Sequence, residues 1–238
     1  MIDLKHRKFI QIGFLAIITL IICYSSIQSM RANAWYFNAL NTLKQLPLPL
    51  LDNTELALAE NAIKIATELE PTQPHYWQLY AYIKMRLLSD TKESINDLDY
   101  KNGVYKQAEQ ALLKSVDLRQ SWPDSWIELA KVTSYQEGAS DRVYTYIQQA
   151  KKIGPFNFEV HAGAIQIALM NWHALPPKYK ALYVQELKLA VKHGYKFNQI
   201  FDVAKQVNGL PILCLSMQFG TDFEKVRISN HYKKYCRS

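Results

Sequence analysis

The residues that could do chemistry are few and scattered. Six histidines stand at positions 6, 75, 161, 173, 193 and 231, and three cysteines at 23, 214 and 236. A zinc site draws on three or four such ligands, usually with two of them close in sequence. No histidine here has another histidine or a cysteine three or four residues away. There is no Gly-rich phosphate loop, HExxH, CxxC pair or nucleophile elbow. The "NWHALPP" around His173 sets a lone histidine between a helix end and two prolines, a setting that is structural more often than functional. The expectation is a non-enzyme with no catalytic residue, no metal and no cofactor.

Cys214 and Cys236 offer a different chemistry. In an oxidising compartment two cysteines make a natural pair, and a bridge would tie the last helix to the apolar stretch before it. Closing a loop of about 21 residues is worth roughly 3 kcal/mol in the chain-entropy model. Two reduced cysteines, one of them buried, are the alternative. Cys23 lies within an apolar segment and is expected to be inert. Trp77, Trp122, Trp126 and Trp172 could stack on sugar rings where exposed. Trp77 and Trp126 read as core, and Trp122, just before Pro123 in a turn, is the candidate exposed aromatic.

The elements that position these groups are helical. Gly is scarce at 8 of 238 residues, and no alternating strand run of six or more residues occurs. At the amino terminus, Lys5, Arg7 and Lys8 precede an apolar run from Phe9 to about Tyr24. With Ser25 to Ile27 it approaches the roughly 20 residues that cross a bilayer core. The basic flank predicts a cytoplasmic amino terminus and a body on the far side. Two other readings compete: a signal peptide cut after "ANA" at 32–34, and a lipoprotein at Cys23. The first places its site far beyond the apolar core, and the second sets Ile22 where a small residue is normal. Trp35, Tyr36 and Phe37 read both as an interfacial belt and as packing residues of one long helix, broken at about Leu46 by "PLPLL".

A unit then recurs. Ala59, Ile63, Ala66, Leu69 and Pro71 lead to Trp77 and Ala81; Ala108, Leu112, Ser115, Leu118 and Gln120 lead to Trp126 and Ala130 at the same spacing. A third copy runs Val143, Ile147, Ala150, Ile153 and Pro155, then weakens to His161 and Ile165. A fourth trace is Tyr183, Leu187 and Ala190. The excess length between the first two copies falls at Arg86–Tyr105, read as an inserted loop. Small residues admit neighbouring helices closely and large ones fill the grooves; Pro71 and Pro155 stop helices. From Phe197 the pattern changes to a short helix ended by Asn208-Gly209, an apolar stretch, and a final basic helix capped by Thr221 or Asp222.

This spacing resembles the tetratricopeptide repeat over about residues 54–172. Taken with the composition and the apolar amino-terminal run, it gives an expected all-α fold: one transmembrane helix, a right-handed helical-hairpin array and a helical C-terminal cap. The expected layout is a basic flank at 1–8, an anchor at 9–29, a juxtamembrane helix and linker at 30–52, repeats at 53–195 and a basic cap at 196–238. The net charge is +7. Residues 170–238 carry eleven Lys/Arg against four Asp/Glu, an excess that suits an acidic partner or reads as a solvated lysine-rich surface. "NAWYFNA" at 33–39, "PHYWQL" at 74–79, "SWPDSWIELA" at 121–130 and a basic tail ending in "YC" together resemble the VpsP-like polysaccharide-biosynthesis proteins. That resemblance implies a bacterial envelope protein acting in polysaccharide assembly or export; with the anchor and its basic flank, the expectation is a single-pass protein of the inner membrane with a periplasmic body. It also implies a scaffold that binds a protein of a polysaccharide machine. Direct binding of acidic polysaccharide, or assembly of another envelope complex, are the alternatives. Nucleic acid is not an expected partner.

Overall fold

A computed structural model describes residues 4–45, 54–90 and 98–237. Every regular element among them is helical. The chain divides into two compact units, Met1–Ser94 and Ile95–Ser238, a division that falls inside the stretch expected as one array.

The first unit holds α1 (Leu4–Gln45), α2 (Thr54–Leu69) and α3 (Pro74–Asp90). α1 is a single helix of 42 residues. Its first half exposes Phe9, Ile10, Ile12, Phe14, Leu15 and their neighbours, and one window reaches a mean hydropathy of 2.2 with none of it buried. This is a candidate membrane span. Its second half changes character without a break. Ala32 and Ala39 are fully buried, on one face with half-buried Tyr36 and Leu43, against Leu56, Ala59, Ile63 and Ala66 of α2. Alanines seven residues apart lie on one helix face and let the two backbones approach. Tyr36 turns inward onto Tyr76, ring centroids 5.1 Å apart, while Trp35 and Phe37 stay exposed. The "PLPLL" stretch expected to break this helix lies outside the described residues.

The second unit holds α4 (Leu98–Leu118), α5 (Pro123–Glu137), α6 (Asp141–Ile153), α7 (Phe158–Met170), α8 (Pro177–Ala190), α9 (Asn198–Gln206), α10 (Leu210–Met217), α11 (Glu224–Arg227) and α12 (Asn230–Cys236). α7 lies at its centre, apolar on most sides, and packs on α5, α6, α8 and α9. Gly163 makes this possible: a β-carbon there would come within 2.4 Å of Ile127 Cγ1 on α5.

Three expectations change. The Arg86–Tyr105 stretch is not simply a loop, because α3 runs to Asp90 and α4 starts at Leu98; residues 91–97 lie outside the described set. The faint fourth trace is a real element: Tyr183, Leu187 and Ala190 are buried on α8, and α9 follows, packed on α7. The final basic helix is broken. A 3-10 turn at Thr221–Phe223 has no side-chain cap, and it is Ser229 whose hydroxyl accepts from Tyr232 N–H at 3.2 Å and starts α12. Asn208 takes a positive φ of 56° and Gly209 N–H returns to Ala204 O at 2.7 Å, closing α9 as expected.

Candidate functional site

The same turn is built three times. The first helix of each hairpin ends at Leu69, Leu118 and Ile153, and the second begins at Pro74, Pro123 and Phe158. The backbone N–H groups of Glu70, Arg119 and Gly154 donate to Ala66 O, Ser115 O and Ala150 O at 3.1, 3.0 and 2.8 Å. Proline suits the first helical position because it has no N–H to leave unpaired there. Ala59, Ala66, Ala81, Ala108, Ala130 and Ala150 are buried, as are Ile63 and Leu112; Leu118 is half-buried, and Pro71 and Pro155 are exposed.

The tryptophans do something other than fill the core. Trp77 Nε1–H donates to Pro71 O at 2.8 Å, and Trp126 Nε1–H to Gln120 O at 2.9 Å. Both rings are half-buried and lock the turn from outside. The deeply buried aromatic of the first hairpin is the preceding residue, Tyr76. Trp122 is half-buried as well, with the Arg119 guanidinium 4.4 Å from its ring, so it does not stand free as an exposed platform. Trp172 packs edge-on to Tyr183.

At the equivalent place in the third hairpin stands His161, buried, and it is the centre of a polar cluster. Its Nδ1 lies 2.6 Å from Glu186 Oε2, and Lys151 Nζ lies 2.7 Å from Glu186 Oε1. One fully buried carboxylate on α8 thus joins α6 and α7. Burial pushes the Glu186 carboxyl up, but the hydrogen bonds from His161 and Lys151 and their charge outweigh it and hold the group below its ordinary value. His193 stacks 5.5 Å from His161. Burial, then the charges of His161 and Lys196, push His193 down. With His161 and Glu186 buried and Lys151 and His193 half-buried, the cluster ties α6, α7 and α8 together. The signal for it was a polar residue at a repeat position otherwise held by tryptophan.

The carboxy-terminal end is open. Cys214 and Cys236 are bonded, Cα atoms 5.4 Å apart, joining α10 to α12. Two grooves of about 480 and 450 Å³ share Arg227 and Arg237, and the bonded cysteines line the second of them. Leu215 and Ile228, each well exposed, supply apolar walls, and Lys225 adds charge against a single acid, Glu224. The Arg227 guanidinium donates to Met217 O at 3.1 Å and Gly220 O at 2.9 Å, which fixes its position. Two cations beside apolar walls can hold an anionic group on an otherwise apolar or sugar-like ligand. His173 lies exposed and apart from both the polar cluster and these grooves. Among the described residues no group of three His, Cys, Asp or Glu is arranged to hold a metal ion.

No family model matches the chain, and no curated protein matches it. Among solved structures, it is similar to one described as "Functional Characterization of Pseudomonas Aeruginosa pilF". The identity is 14%, the match covers 84% of this chain and 98% of that one, and the TM-score is 0.30. At that score nothing carries over from one protein to the other.

Proposed function

We propose that the chain is a membrane-anchored, non-catalytic interaction scaffold of the bacterial envelope, acting in polysaccharide biosynthesis or export. The observation that carries this reading is the unbroken α1. One helix is apolar and unpacked over its first half and packed by Ala32 and Ala39 over its second, so the anchor and the first hairpin are one body. Cleavage after "ANA" would remove Ser29 and Ala32, both of which touch that hairpin, and this favours an uncleaved anchor. The cationic flank favours a cytoplasmic amino terminus, and the Cys214–Cys236 bond suits an oxidising far side. The polysaccharide role rests on the local resemblance to the VpsP-like proteins. The scaffold would bind a protein of that machine through its helical surface.

A reporter pair fused after Ser238 tests the topology. Activity confined to an enzyme that works only outside the cytoplasm is expected; activity confined to the cytoplasmic reporter sinks the orientation. For the role, deletion of the gene should abolish secreted polymer while leaving nucleotide-sugar pools intact. Unchanged polymer would refute it. The grooves at Arg227 and Arg237 favour direct binding of acidic polysaccharide as a second reading. Binding of purified full-length protein to an acidic polymer, lost on Arg237→Glu and in moderate salt, would support it.

A further inference from the structure

The first hairpin carries information about depth. Taking the anchor as residues 9–29, a rise of about 1.5 Å per residue makes it roughly 30 Å long, the thickness of a bilayer core. Ser29 then stands at the outer edge of the hydrocarbon. Ser29 Oγ donates to Glu70 Oε1 at 2.7 Å. Glu70 is the first residue after α2, which runs antiparallel to the second half of α1. The turn between α2 and α3 is therefore held at the level where α1 leaves the membrane.

The chemistry of that turn suits the level. The Glu70 carboxylate, which would be costly near lipid if unpaired, accepts from Ser29, from Gln73 Nε2 at 3.1 Å and from the Tyr76 hydroxyl at 3.5 Å. Pro71 and Thr72 are exposed and uncharged. Trp77 is half-buried, its indole N–H already satisfied by Pro71 O, with the rest of the ring at the surface. Arg31, exposed two residues out from the span, supplies a cation for lipid phosphate. An amphipathic indole and an arginine, each near this depth, suit a headgroup layer. Trp35 lies six residues beyond Ser29, about 9 Å further along α1; its neighbour Tyr36 packs on Tyr76, the neighbour of Trp77, so both tryptophans fall in that layer and Trp35 must be removed before Trp77 is read.

We infer that the α2–α3 turn, Glu70–Trp77, rests in the outer lipid headgroup layer, with Trp77 as its interfacial anchor. This rests on the anchored reading above. The partner is the bilayer that α1 itself spans, reached without any other protein.

The test uses the full chain reconstituted in phosphatidylcholine vesicles containing a headgroup-nitroxide lipid. Flotation after an alkaline wash comes first; a chain that fails to float with the vesicles overturns the anchored reading and this one together. For a floating chain, headgroup quenching of tryptophan fluorescence is compared for the parent and Trp77→Phe, both in a Trp35→Phe background. Loss of about half or more of the remaining quenching in Trp77→Phe is expected for a ring at this depth. Equal quenching of parent and Trp77→Phe overturns the inference while leaving the anchor standing. Thr72→Trp in the Trp77→Phe background changes an exposed site and should restore quenching. Failure to restore it in a protein of native helix content also overturns the inference, because the turn would then lie clear of the lipid or under another partner.

Discussion

The first two hairpins share a turn and differ in what lies beneath it. In both, a tryptophan donates its indole N–H to the carbonyl six residues earlier. One residue before that tryptophan, the first hairpin buries Tyr76 and the second buries Ser125. The positions across the turn compensate. Ala66 stands opposite the tyrosine, whereas Ser115 lies 3.1 Å from Ser125, hydroxyl to hydroxyl. The third hairpin fills the same two places with Ala150 and Val160, both buried. The turn is thus a fixed device, while the pair beneath it changes in size and polarity from one hairpin to the next.

Exchanging the two layers is the most severe way to break this comparison. Tyr76→Ser should cost about 3–5 kcal/mol by opening a cavity. Ser125→Tyr should cost about 2–3 kcal/mol by overpacking Ser115. Hydrogen exchange of the full chain in detergent would localise the first loss to α2 and α3 and the second to α4 and α5. Protection unchanged in both would show that the layers do not discriminate.

The third hairpin sharpens the point. His161→Trp makes it match the others by residue type, yet it should destabilise, because Glu186 would lose a buried partner. Removing the carboxylate itself, Glu186→Ala, should cost about 3 kcal/mol, since Lys151 and His161 are left facing an uncompensated interior. Denaturant titration followed by exchange in α6–α8 measures both; a more stable His161→Trp would mean the turn device dominates there too.

Smaller and equal effects are expected where the device is the same. Trp77→Phe and Trp126→Phe each delete one indole hydrogen bond and should each cost about 1 kcal/mol. A difference much above that between the two, read by exchange at Glu70 and Arg119, would show that the two turns are not equivalent.

The mildest test is acid. The folded value of His193 lies below its ordinary 6.5, so the unfolded chain takes up that proton first, and stability begins to fall as pH drops below 6.5. Glu186 is also held below its ordinary 4.5. Its contribution is therefore full above pH 4.5 and is lost as pH falls through the folded value. His193→Asn should remove the earlier decline and leave the later one. A profile unchanged by that substitution would remove His193 from the account.

What the sequence made legible follows from distance along the chain. The alanines of the repeat and the prolines at 71, 74 and 123 act within a helix or across one turn, so spacing alone revealed the hairpins. Tyr76 was overlooked in favour of its neighbour because a tryptophan at a repeat position is usually core, and here its N–H is claimed by a turn carbonyl at the surface. The Lys151–His161–Glu186 cluster joins residues 10 to 35 positions apart in three helices, and no local pattern encodes such a meeting. The break at Ser229 was missed because the charges of "EKVRISNHYKK" suit one helix, while the serine hydroxyl offers the backbone a competing bond. The grooves beside Arg227 and Arg237 came with the basic tail, but their walls depend on how the disulfide folds that tail back.

The 42 residues of α1 also make a lever. At about 1.5 Å per residue it is roughly 63 Å long, twice the hydrocarbon thickness. No hinge separates its two ends, and Ala32 and Ala39 clamp α2 along the outer one. On the anchored reading proposed above, a bilayer that thins would favour tilting of this long apolar helix, and that tilt would swing the first hairpin by the same angle. On that reading, the attitude of this unit would then follow membrane thickness, mechanically rather than through any ligand.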